Sequence, residues 1–496
     1  MSPTQESKIR CILLNDRDNV AVLPEGGGRG AYLPCMPEQP LGEDIPPGHK
    51  VAVKEIRTEE NIIKYGHSIG LAARPIKRGE WVHTHNARSA LREEWDMTWT
   101  PCPSTPEGGG IDIPVFEGFA RNEGAPGVRN DLWIIPTVGC INEYLRHLAE
   151  SYVPDPWITN VRVLAHPFGC SQLGEDLERT VAVLAGLARN PCAAGVVVAG
   201  LGCENLQRVF LETRLKGVEK ARFFSLQESR DDYSTLYALL DELSAAAPKK
   251  RATFPLSDVA IGVKCGGSDG FSGLSANPLV GAVADLVCAW GGRVLATEIP
   301  EMFGAEDVVA SRIAERSVFD AFANAIRWFR GYYAAHGLPV YENPSPGNKD
   351  GGITTLEEKS LGAVNKCGSA PVTDVLPIGA QGTKKGVAIV VGPGNDLVSS
   401  TALAAGGAQI LLFTTGRGTP FSTVVPTIKI ASNTALYERK RDWLDFDAGP
   451  LLKGERRDVH AERLIKLLSA TASGELTRGE KNRCAEIAIF KDGVML

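Results

Sequence analysis

Residues 262–278 read GVKCGGSDGFSGLSANP. The apolar run at 259–263 stops at Cys265, two glycines, Asp269 and two more glycines, and a helix-like segment begins near Asn277. A buried strand running into a wide turn reads this way. The glycines let the backbone approach a ligand closely and leave Cys265 and Asp269 as the reactive groups on the rim.

Four other apolar runs end in the same manner. The run at 132–136 leads to Cys140, and that at 161–165 leads to His166 and then Gly-Cys170-Ser-Gln172. The run at 196–200 leads to Cys203 and Glu204, and that at 293–296 leads to Glu298. Cysteines placed repeatedly just after a strand predict thiols converging at the carboxyl end of a parallel sheet, where open α/β sheets bind ligands.

The chain has 496 residues, too many for one ordinary domain. A net charge of -6 argues against a general nucleic-acid binder. No apolar stretch approaches the roughly 20 residues that span a bilayer, and the first ten residues, MSPTQESKIR, have no apolar signal region. The expectation is a cytoplasmic protein with no membrane or nucleic-acid partner. Eleven cysteines without a secretion signal predict no disulfide framework.

The fold class predicted is multidomain α/β. Residues 1–90 hold short strand-like runs between Gly and Pro clusters, the pattern of a small all-β domain. This part ends in His83-Thr-His85-Asn86-Ala-Arg88, which puts two histidines on one face of a strand, available to metal or substrate. Residues 91–115 are Pro- and Gly-rich and read as a flexible tether. Strand–helix alternation then predicts an α/β middle domain over 116–250 and a C-terminal domain with a mostly parallel sheet over 251–496.

A dinucleotide site is disfavoured, because Gly200-x-Gly202 and Gly392-x-Gly394 follow strands but lack the third glycine of the fingerprint. A thiol-nucleophile enzyme needs one cysteine beside a base. Several cysteines in equivalent positions suit shared metal ligation better, and thiolates select iron, zinc or an iron–sulfur cluster. Asp269, Glu298 and Glu204 would add oxygen ligands or outer contacts.

The motifs Asn61-Ile-Ile-Lys-Tyr-Gly66, His83-Thr-His85-Asn86, Gly127-Val-Arg129-Asn130, Gly169-Cys-Ser-Gln172, Gly200-Leu-Gly-Cys-Glu204, Asn343-Pro-Ser-Pro-Gly-Asn-Lys349 and Phe413-Thr-Thr-Gly-Arg-Gly418 join the opening stretch. Together they resemble the altronate/galactarate dehydratase family over nearly the whole chain. The resemblance implies an N-terminal β-clip (SAF) domain, a middle domain used for homodimerisation and a C-terminal Rossmann-like catalytic domain. It also implies an iron-dependent hydro-lyase that converts a sugar acid into a 2-keto-3-deoxy acid. Cys367, where the family commonly has glycine, is read as incidental.

The site expected on these grounds has Fe²⁺, or Mn²⁺, on some of Cys140, Cys170, Cys203 and Cys265 with Asp269 and Glu298 close by. An iron–sulfur cluster on three thiols is the alternative. His166, His85 and Lys349 are the expected proton-transfer groups. His83, Asn86, Arg88, Arg129, Gln172, Asn348 and Arg417 are the expected substrate contacts, the arginines as carboxylate forks. The small domain is expected to carry His83 and His85 to the mouth of the large-domain site. A sulfolactate sulfo-lyase and a non-catalytic sugar-acid binder are the competing readings.

Overall fold

The computed structural model describes residues 9–91, 98–101 and 112–496. Most of the expected tether lies outside the described residues. The small domain pairs Val20–Val22, Lys50–Ala52 and Trp81–Val82 in one antiparallel sheet, and Asn61–Lys64, His67–Ala72 and Ala87–Arg88 in another. Ile56, Ile62, Ile69, Ile76 and Val82 fill its core. Cys11 and Cys35 are disulfide-bonded, a bridge that the cysteine count did not predict.

The middle domain is a four-stranded parallel sheet in the order Val161–Val163, Asp131–Pro136, Ala193–Gly200, Ala221–Ser225. Helices cover both faces, so its central strands are buried on both sides and read as unbroken apolar runs. The chain enters at Asp131–Pro136, steps to one side and then crosses to Ala193–Gly200 on the other. That reversal leaves a crevice at the carboxyl ends of these two strands.

The C-terminal domain is a seven-stranded, wholly parallel sheet. Its order is Val372–Leu376, Gly386–Val390, Arg293–Ala296, Ala260–Cys265, Ile410–Thr415, Thr427–Ala431, Phe446–Asp447. Its reversal falls between Ala260–Cys265 and Ile410–Thr415, at the end of the stretch quoted first. An antiparallel pair, Val115–Gly118 with Ala252–Pro255, brackets the middle domain. One continuous apolar core runs through all three parts. Among the described residues, no helix is long and apolar enough to cross a membrane.

The four cysteines expected at one sheet edge therefore leave two sheets. Cys140, Cys170 and Cys203 follow strands of the middle sheet, whereas Cys265, Asp269 and Glu298 follow strands of the seven-stranded sheet. Local periodicity could not distinguish them, because both sheets are built from the same buried parallel strands.

Candidate active site

The small domain docks on the C-terminal domain of its own chain, over the carboxyl ends of the seven-stranded sheet. Gly48, at φ +81°, brings its backbone against the Phe271 ring, where an added Cβ would sit 3.0 Å from the nearest carbon. Lys50 and Lys64 each donate to one oxygen of Glu358 at 2.8 Å, and Lys50 also donates to Gly352 O at 2.7 Å. Burial alone would raise Glu358, but the two ammonium groups outweigh it and hold the carboxyl well below its usual range. Burial pulls Lys50 down to about 8, whereas Glu358 outweighs burial at Lys64 and raises it. A narrow cavity between the domains is lined by Lys64, Tyr65, Ser268, Asp269, Glu358 and Lys359.

At the rim of this interface lies a ring cluster. The strand expected to carry His83 and His85 ends at Val82, and both histidines sit on the turn that follows. Asn86 ties that turn, accepting from His83 N at 2.9 Å and donating to Trp81 O at 2.8 Å. His83 stacks on Trp81 at 5.3 Å and meets His49 edge-on at 4.9 Å. Trp81 Nε1 donates to His49 Nδ1 at 3.2 Å, which assigns His49 the tautomer whose Nε2–H faces Asp350 O at 3.4 Å. Burial and the nearby Lys50 lower His49, and burial, Lys50 and His49 bring His83 to about 4. Both rings are neutral at pH 7. His83 Nδ1 is buried without a hydrogen-bond partner among the described residues.

Around the sheet reversal, Asp269 organises loops. It accepts from Phe271 N, Ser272 N and Ser432 Oγ at 2.9–3.1 Å and from Asn433 Nδ2 at 3.2 Å. Glu298 holds a left-handed backbone at φ +75° and receives Lys264, and Lys366 at 3.0 Å. Cys265 is 2% exposed, with Sγ 2.8 Å from Ser268 Oγ. Arg417 is exposed beside Gly267, and Lys349 is half-buried next to Asn348. Neither makes an ion pair among the described residues.

The middle sheet presents a second constellation. Cys140, Cys170 and Cys203 are all free and exposed. His166 is buried at the start of the Cys170 loop with both ring nitrogens engaged: Nε2–H donates to Pro136 O at 2.8 Å, and Nδ1 accepts from Phe168 N at 3.2 Å. Burial brings it down to about 4. It orders the loop, which leaves no ring nitrogen for proton transfer. Glu204 accepts from Leu201 N at 3.0 Å, Gly202 N at 2.6 Å and Thr137 Oγ1, and so shapes the Cys203 turn.

Several expected substrate contacts are occupied elsewhere. Arg129 is sealed by Glu480 at 2.7 Å and by the carbonyls of Thr471 and Glu475. Arg88 pairs with Glu59 on the surface. Asn348 caps its own helix and donates to Ser268 O at 2.8 Å. Gln172 accepts from Gly169 N at 3.1 Å, leaving Nε2 without a partner.

Sequence reading gave no role to His49, Lys50, Lys64 or Glu358, although a lysine inside an apolar strand run is a signal for a buried pair. It also missed Glu43 and Glu80, which with the exposed His85 place three ligand atoms within 4.8 Å of one another.

The chain matches three family models. These are "Altronate/galactarate dehydratase SAF domain" over residues 9–90, "D-galactarate dehydratase/Altronate hydrolase, second domain" over 118–248 and "D-galactarate/Altronate dehydratase, C-terminal" over 256–495. It is similar to the altronate dehydratase of Bacillus subtilis (strain 168), at 46% identity over 98% of this chain and 99% of that protein. The altronate dehydratase of Escherichia coli (strain K12) is 39% identical over 98% and 99%. The galactarate dehydratase (L-threo-forming) of the same organism is 33% identical over 94% and 93%.

Proposed function

We propose that this chain, which belongs to the D-galactarate/altronate dehydratase family, is a hydro-lyase that removes water from a sugar acid, altronate before galactarate, to give a 2-keto-3-deoxy acid. The order follows the higher identity to altronate dehydratases.

The observation that carries the reading is His83: a neutral imidazole with a free, buried ring nitrogen, held by Trp81 and His49 beside the Lys349 helix. Dehydration of a 2,3-dihydroxy acid takes the proton α to the carboxylate and expels the β-hydroxyl. His83 suits the base, a role first expected of His166 or His85. Lys349 suits protonation of the leaving hydroxyl, and Arg417 suits a fork on a substrate carboxylate. The packed small domain keeps bulk water off the deeper side of the cleft.

The family reading brings a metal. The donor set that suits iron is the three thiols of the middle sheet, and the harder set Glu43, Glu80 and His85 suits Mn²⁺. At Glu43, Glu80 and His85, the last on the turn that carries His83, a metal would supply Lewis-acid stabilisation of negative charge developing on the substrate. We read the protein as a cytoplasmic homodimer joined through the middle domain, which leaves Tyr144, Val209, Phe210 and Tyr233 exposed. Sedimentation tests that state.

The function is tested by assaying altronate, galactarate and related acids with ferrous iron under reducing conditions. A 2-keto product from altronate supports it. Sulfite release from sulfolactate, or sugar-acid binding without turnover, would transfer the chain to one of the competing readings.

A further inference from the structure

We propose that Cys140, Cys170 and Cys203 hold an iron–sulfur cluster of the four-iron type, with one iron left free of protein ligands, and that Cys265 takes no part. The proposal deepens the dehydratase reading, on which its choice of iron rests.

Three separate loops carry these thiols, and direct contacts draw the loops together. Gly139 N donates to Phe168 O at 2.9 Å, joining the Cys140 and Cys170 loops. Gly169, at φ +105°, lies so close to Thr137 that any side chain would strike Thr137 O. Leu206 N donates to Gly169 O at 2.9 Å, and Ser171 N donates to Asn205 Oδ1 at 2.7 Å, joining the Cys170 and Cys203 loops. The cysteines thus stand at the reversal point of a parallel sheet, the place where such sheets bind ligands.

Ordinary packing does not account for them. A cysteine kept for packing is buried, as Cys192 and Cys265 are, whereas these three are exposed and share no disulfide. The second observation is Gln172. It is 1% exposed, its carbonyl is held by Gly169 N next to Cys170, and its Nε2 has no acceptor. An unsatisfied amide donor at the root of a thiol loop is suited to donate to cluster sulfur.

The thiols are not crowded together as the ligands of a single ion would be. Among the described residues, the three thiols do not form a group with all ligand atoms within 4.8 Å of one another; only Glu43, Glu80 and His85 do. Thiolates around one iron crowd together, whereas those on a cubane each bind a different iron. Three thiolates on four irons would leave one iron free of protein ligands. Cys265 is excluded because its thiol is buried in the other sheet against Ser268 and Asn277.

The test is iron and acid-labile sulfide analysis, with visible absorbance, of the full chain prepared without oxygen and reconstituted with ferrous iron and sulfide. About four of each per chain are expected. Single C140S, C170S and C203S variants should each lose most of the sulfide and the visible band, while C265S keeps both. Alkylation mapping gives a readout without substitution: the three cysteines should be protected in the loaded protein and modified once iron is stripped. Iron without sulfide, zinc in place of iron, or equal alkylation before and after stripping would overturn the cluster. A cluster without dehydration would overturn the proposed function alone, and dehydration without a cluster would overturn this inference alone.

Discussion

Lys50 and Glu358 lie 308 positions apart in the chain and meet at 2.8 Å, with side chains 0% and 1% exposed. Lys64 takes the other oxygen of the same carboxylate. A buried ion pair gains little net stability over an apolar contact, because desolvation offsets the attraction. Its value here is in register: only one placement of the small domain satisfies both lysines, and that placement sets the Trp81–His83–His49 cluster against Asp350.

Glu358→Gln should therefore be severe. It leaves Lys50 and Lys64 facing a neutral amide in a dry interface, a loss of about 3–5 kcal/mol, read as a lower midpoint in thermal or denaturant unfolding. Lys50→Met should cost less, since Glu358 keeps Lys64.

The same lock has a pH signature. Glu358 is held below its ordinary 4.5, so its contribution is complete above that value and is lost as pH falls through the folded value. Lys50 is brought from 10.5 down to about 8. Between those values the unfolded chain holds a proton that the folded chain has released, so this group makes stability rise with pH across that window. Urea midpoints measured from pH 8 to 10 should show the rise in the parent relative to Lys50→Met, and parallel curves would remove it.

His83 should set the acid side of the activity profile. Its base form persists down to about pH 4, so kcat/KM should stay level below the ordinary histidine value of 6.5 and fall only near 4. His83→Gln should lower kcat by about 10²–10⁴-fold, the usual range for a lost general base. A profile that breaks near 6.5 in the parent would overturn the assignment of the base to His83.

Two arginines expected to bind substrate should now behave differently. Arg417→Met should raise KM by about tenfold to a hundredfold, the equivalent of a charge-assisted hydrogen bond of about 1.5–3 kcal/mol, with little change in melting. Arg129→Met should leave KM unchanged and lower the melting midpoint, because it strands Glu480 and three carbonyls. Steady-state kinetics and thermal unfolding on both variants separate the two roles.

Legibility in the sequence followed the range of the interaction. Arg293–Ala296 was read to the residue, and Ala193–Gly200 and Ala260–Cys265 nearly so, because buried parallel strands announce themselves as apolar runs. The loops carrying Cys140, Cys170 and Cys203 were also visible, as glycine beside cysteine after each run. Which sheet each loop belongs to was not, since strand order depends on crossovers that leave no local mark. The side-chain roles were least legible. Arg129 and Arg417 sit in similar Gly-rich contexts, and only Glu480, 351 positions away, makes one of them structural. Val372–Leu376 was missed because Thr373 and Asp374 interrupt its apolar pattern at the sheet's outer edge.

Glu298 gives the sharpest division between a metal ligand and a structural charge. It stands just past the Arg293–Ala296 strand, where a ligand was expected, and it holds a left-handed backbone that a non-glycine residue adopts at a cost. Yet Lys264 and Lys366 occupy its two oxygens, all three side chains being almost fully buried. Burial raises the carboxyl and the lysines oppose that rise, so the site depends on the charge remaining on Glu298. Glu298→Gln keeps the shape and removes that charge, leaving Lys366 without its carboxylate and Lys264 with Asp396 at 3.0 Å as its remaining ion pair. The expected result is a loss of about 3–5 kcal/mol in unfolding free energy with iron and sulfide retained in the folded protein. Glu298→Asp should recover part of the loss, since it restores the charge and tolerates the left-handed backbone better. If Glu298→Gln instead sheds iron while melting as the parent does, the carboxylate belongs to the metal, and the lysines are its outer contacts.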